Sequence, residues 1–137
     1  MNNILLDTNI LIYAFDETSI FHQKSIELLL NEENNLFITT KNISEFFAVC
    51  SKLNLNLDKI FGYYSDLKLN CTFLFPTDES LDIFETLIKK YNPHGNRVYD
   101  IEIVSIMMCN EINKIATVNV DDFKNVTEVN IIEIKST

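Results

Sequence analysis

A chain of 137 residues that is 47% apolar is long enough for one domain, spanning residues 1–137, with a core of its own. Its formal charge of −9, from 20 acidic and 11 basic residues, is spread over both halves rather than held in a tail. That balance argues against strong non-specific attraction to nucleic acid and favours a basic protein partner. It leaves room for an enzyme that meets phosphates through a bound cation.

Cys50, Cys71 and Cys109 are odd in number and widely spaced, which predicts reduced, mostly buried thiols of a cytoplasmic protein. His22 and His94 lack suitably spaced partners, so a zinc site is not expected. The first residues show no basic segment followed by a long apolar run, so no signal peptide is expected. No apolar run reaches the length of a membrane span, and no membrane association is expected.

Taken in order, Ile4 to Leu6 read as a short strand buried on both faces, as in a parallel sheet. Asp7 closes it, and Thr8 is a good cap for a helix running through Phe15. Ser19 caps a second helix, Ile20 to Glu32, and Asn34-Asn35 is a turn. Leu36 to Thr39 form the next strand. A helix follows from about Asn42 to Leu53 with Glu45 in its first turn, and another covers Asp58 to Leu67. Thr72 to Phe75 read as a strand, and Thr77 or Asp78 caps a helix to Tyr91. Asn92-Pro93-His94-Gly95-Asn96 is the clearest loop. Beyond Arg97 and Asp100, residues Ile101 to Asn113 are apolar nearly all round, which predicts a buried helix. Ile115 to Val118 give a fourth strand ending at Asn119, Asp121-Asp122-Phe123 a loop, and Val129 to Ile134 an edge strand. Strands alternating with helices predict a three-layer α/β fold on a parallel sheet.

In open sheets of this kind, ligands bind at the carboxyl ends of the strands. With the first and fourth strands adjacent, Asp7, Glu45, Asp100, Asn119 and Asp122 converge on one cleft at that edge. Carboxylates so gathered repel one another, and a hard divalent cation relieves the cost. Oxygen ligands without His or Cys favour Mg²⁺ or Mn²⁺, ions that can activate a water toward a phosphodiester. Singly, each residue has a plainer role. Glu45 and Asp100 suit a helix dipole, Asp122 suits a turn, and Arg97 suits a solvated surface.

The order of four blocks resembles PIN-domain proteins, and more narrowly the VapC-type toxins of bacterial toxin–antitoxin pairs. The blocks are Leu5-Leu6-Asp7-Thr8-Asn9; Ile38-Thr39-Thr40 with Glu45-Phe46; Arg97-Val98-Tyr99-Asp100; and Ala116-Thr117-Val118-Asn119 with Asp122-Phe123. The resemblance implies a parallel sheet of about five strands in the order 3-2-1-4-5. It implies a Mg²⁺- or Mn²⁺-dependent endoribonuclease acting on RNA, a homodimer, and a cognate basic antitoxin that covers the cleft. The metal-binding acids fall on Asp7, Glu45 and Asp100, with Asp122 as a further catalytic acid. Asn9, Thr117 and Asn119 orient them, and Arg97 is a candidate contact to RNA phosphate. Many relatives carry an acid where this chain has Asn119, and a subset has Asn there with an acid three residues on.

Three other readings compete. A PIN fold without activity, serving as a binding module, suits Asn119 and the sparse basic residues. A receiver phosphorylated on Asp7 would want acids where Asn2 and Asn3 stand and a lysine after a late strand, whereas Lys114 precedes the fourth. A haloacid-dehalogenase-like phosphatase would want a second Asp at position 9, which is Asn.

Overall fold

The computed structural model describes residues Met1–Thr137. Five parallel strands form one sheet: β1 (Asn2–Leu6), β2 (Asn34–Thr39), β3 (Thr72–Leu74), β4 (Lys114–Thr117) and β5 (Asn130–Glu133). Their order is β3-β2-β1-β4-β5, as the resemblance implies. The helices are α1 (Thr8–Phe15), α2 (His22–Leu30), α3 (Thr40–Lys52), α4 (Leu57–Asn70), α5 (Asp78–Tyr91) and α6 (Arg97–Cys109). No helix is long and apolar enough to cross a membrane.

Period-two alternation on the strands sorts the core into two halves. Leu5 and Ile115 face α5 and α6, where they pack with Leu87, Ile101, Val104 and Met107. Ile4, Leu6 and Ala116 face the opposite side, with Ile10 and Leu11 of α1, Phe46 and Cys50 of α3, and Ile60 and Leu67 of α4. Each face of the sheet is thus covered by helices, which is why its strands are apolar without a polar side.

Several boundaries differ from the sequence expectation. Asp7, not Thr8, caps α1, its carboxylate accepting from the Thr8 amide at 2.9 Å. Asn34 and Asn35 are not a turn but the start of β2, where Asn34 meets Asn2 and Asn35 meets Asn3 side chain to side chain. The second helix starts at His22, leaving Ile20 exposed in the preceding turn. Phe75 lies past β3 and is exposed. α3 starts at Thr40 because Thr39 and Asn42 form a capping box, so Glu45 lies in its second turn, away from the dipole. α6 starts at Arg97 and stops at Cys109, short of Asn113, and the chain turns away through Glu111 at a left-handed φ of 58°. The segment Asp121-Asp122-Phe123 is not irregular loop: a 3-10 turn spans Val120–Asp122. All three cysteines are free, but only Cys50 is buried.

Candidate active site

The register of the sheet builds the site. Leu6 of β1 lies opposite Ala116 of β4, so the next residues, Asp7 and Thr117, emerge side by side at the carboxyl edge. The Asp7 amide makes a last ladder bond to the Ala116 carbonyl at 3.0 Å. The Thr117 hydroxyl donates to Asp7 Oδ2 at 2.8 Å, and the Asn9 amide donates to the same oxygen at 3.1 Å. Asn9 Oδ1 in turn accepts from the Val118 amide at 3.2 Å, fixing the Asn9 side chain across the two segments. Asp7 is 7% exposed, so its orientation is set by these partners and not by solvent.

Glu45 arrives from the other side. Its Oε2 accepts from the Thr8 hydroxyl at 2.9 Å, and that hydroxyl accepts from Asn42 Nδ2 at 3.0 Å. Asn42 is fully buried and accepts from the Thr39 hydroxyl at 2.6 Å. A relay from Thr39 through Asn42 and Thr8 therefore ends on a cleft carboxylate. Asp100 comes from the first turn of α6, and Asp122 from the 3-10 turn after β4. Asn119 is exposed, and its backbone amide donates to the Thr117 hydroxyl at 2.9 Å.

One cleft is lined by Asp7, Thr8, Asn9, Glu45, Asp100, Asn119 and Asp122, with Ile12, Tyr13 and Val49 as an apolar wall. The four acids named from the sequence thus share a cavity, and Thr117 sits beneath it as the support of Asp7. Arg97 stands at the margin, exposed, its Nη1 donating to the Asp121 carbonyl at 3.2 Å. Sequence reasoning missed the part played by Thr8 and Asn42, the apolar wall, and Lys41 and Tyr99 in an adjoining groove. A threonine and an asparagine at strand-to-helix junctions gave only a capping signal.

The electrostatics bear the mark of this gathering. Burial raises the Asp100 carboxyl, and Asp122, Asp7 and Glu45 raise it further against a smaller opposing effect of Arg97, to about 7. Asp7 is also raised, chiefly by burial, although its bonds from Thr117 and Thr8 pull the other way. No Lys or Arg lines the cleft itself. The all-oxygen donor set fits Mg²⁺ or Mn²⁺ in kind. No group of three His, Cys, Asp or Glu side chains is gathered closely enough in this structure to hold a metal ion.

A family model for the PIN domain matches residues 4–129, and the chain belongs to that family. No curated protein matches the sequence. Among solved structures, the fold is similar to DNA-bound VapBC from Salmonella typhimurium, with a TM-score of 0.71 at 17% identity over 98% of this chain and 100% of the other. It is similar to VapBC2 from Rickettsia felis bound to a fragment of promoter DNA, with a TM-score of 0.69 at 19% identity over 97% and 99%. It is also similar to VapC20 from Mycobacterium tuberculosis, a Sarcin-Ricin loop cleaving toxin, with a TM-score of 0.65 at 12% identity over 82% and 86%.

Proposed function

We propose that this chain is a metal-dependent endoribonuclease, the VapC-type toxin of a toxin–antitoxin pair, working in the cytoplasm. The observation that carries the reading is the convergence of Asp7, Glu45, Asp100 and Asp122, from four separate segments, on one cleft without an internal cation. Carboxylates gathered in this way repel one another and resist burial, which supports a cationic ligand.

Asp7 and Asp100 would be the primary protein ligands of Mg²⁺ or Mn²⁺, with Glu45 beside them. A divalent ion held there supplies an acidified water and neutralises charge on phosphate oxygens. The protein's own part is orientation. Thr117 and Asn9 fix Asp7, Thr8 fixes Glu45, and Asp122 adds charge that keeps the site selective for cations. Arg97, at the margin, would contact an RNA phosphate.

A similar solved structure from Klebsiella pneumoniae is described as a toxin–antitoxin complex, which supports a cognate antitoxin for this chain. A basic antitoxin segment presenting an Arg would meet the carboxylates bidentately and compete with the metal. A homodimer is part of the same reading.

The second reading, a binding module without activity, is favoured by Asn119, which places a neutral amide in the cleft. Cleavage of a structured RNA pool by antitoxin-free protein, with and without EDTA, separates the two. The nuclease reading requires cleavage that EDTA abolishes and that Asp7→Asn lowers on the order of 10²-fold or more. No cleavage of any RNA by wild-type protein with metal bound would favour the module.

A further inference from the structure

The acid cleft opens into a second groove that differs from it in charge. Glu45, Asp100 and Asp122 border both, but the second groove is completed by Lys41, Asn96, Arg97 and Tyr99. Lys41 stands on the first turn of α3 and Tyr99 on the first turn of α6, so the two helices present them across the cleft mouth. The Lys41 ammonium lies 3.8 Å from the centroid of the Tyr99 ring. Neither Lys41 nor Arg97 pairs with a carboxylate within ion-pair distance, although acids line the same groove. Tyr99 is 46% exposed and its hydroxyl makes no hydrogen bond. An exposed aromatic ring under a cation, beside the Arg97 guanidinium that bonds the Asp121 carbonyl but no carboxylate, is the composition of a nucleotide-binding surface. Such a surface takes phosphate on the cations and stacks a base on the ring.

We infer that Lys41 and Tyr99 form a clamp for the nucleotide next to the scissile phosphate, with Lys41 and Arg97 on phosphate and an unpaired base stacked on Tyr99. This inference rests on the nuclease reading and adds to it the residues that hold the nucleotide beside the cut. A ring at the cleft mouth can stack only on a base that is free of a duplex. Lys41 changes partner in the process: its ammonium moves from the ring toward phosphate as the base arrives.

The test is an equilibrium titration of the full chain, in EDTA at low ionic strength, with a short single-stranded oligoribonucleotide carrying a fluorescent adenine analogue. Stacking on Tyr99 is expected to quench the probe. Tyr99→Leu is expected to remove the quenching and weaken binding about tenfold, while Tyr99→Phe retains both. Lys41→Ala is expected to weaken binding and to lower the slope of log K against log salt by about 0.7, with Lys41→Arg restoring it. The same strand annealed to its complement is expected to bind more weakly and to be indifferent to Tyr99→Leu. Wild-type binding without quenching, absence of wild-type binding, or Tyr99→Leu and Lys41→Ala chains that match wild type would each overturn the clamp. EDTA-sensitive cleavage is read separately, so the clamp can fail while the nuclease reading stands. Loss of that cleavage would remove the nuclease reading itself.

Discussion

The hydroxyl of Thr8 joins two segments that the sequence keeps far apart: it donates to Glu45 Oε2 at 2.9 Å and accepts from the buried Asn42 amide at 3.0 Å. Thr8 follows β1, and both partners lie on α3, so this contact sets the spacing between Asp7 and Glu45. Replacing Thr8 by Val keeps the shape but strands a fully buried Asn42 donor, at a cost of about 1–3 kcal/mol. Thr8→Val should therefore lower thermal stability and weaken Mn²⁺ binding about tenfold. Thr8→Ser should retain most of both. Calorimetric titration and a thermal melt of each variant check this, and a Thr8→Val chain equal to wild type in both would contradict the relay.

Asp100 makes metal-free stability depend on pH. Its carboxyl titrates at about 7 in the fold against an ordinary value of 3.8. The folded state therefore holds a proton that the unfolded chain has lost between these values, and stability must fall as pH rises from about 4 to 7. Above that window the penalty is complete. In EDTA, lowering the pH from 8 to 6 should raise the melting temperature, and Asp100→Asn should raise it at pH 8 by about 2–4 °C. Added Mg²⁺ should reverse the order, stabilising wild type more than the variant. Melting curves across pH, with and without the ion, decide it.

Thr117 should matter more for affinity than for folding. It is the largest influence holding Asp7 toward its ionised form. Thr117→Val should raise the Asp7 carboxyl further and weaken divalent-ion binding about 10- to 100-fold, as for other partners that orient a metal ligand. Carbon-detected NMR titration of the Asp7 carboxyl reads the shift directly.

Asn119→Asp would place a fifth acid in the cleft. The added like charge should raise Asp100 further in EDTA and tighten Mg²⁺ binding when the ion is present. Tighter binding with no gain in RNA cleavage would show that the native amide keeps the site from being over-charged.

Much of this arrangement was legible in the chain, for physical reasons that can be named. Ile4–Leu6 and Ile115-Ala116 are apolar because both sheet faces are covered, and a residue that closes such a strand must lie at the ligand-binding edge. That logic located Asp7 and placed Asp100 and Asp122 near it. It failed where polar residues pair with one another across strands. Asn34 and Asn35 resembled a turn, yet each meets an Asn of β1 and extends the sheet. It failed again at Asn42, whose value lies in a contact to Thr8 across 34 positions that no local pattern reveals. The Lys41–Tyr99 pair is hidden for the same reason, since its members stand on different helices.

In the proposed nuclease, Asp7 and Asp100 together would hold a divalent cation. Crystals of the antitoxin-free protein soaked in millimolar Mn²⁺ at neutral pH, measured at a wavelength where manganese scatters anomalously, test it most directly. An anomalous peak is expected between the Asp7 and Asp100 carboxylates, lost in Asp7→Asn. A peak elsewhere on the molecule, or none, would contradict it.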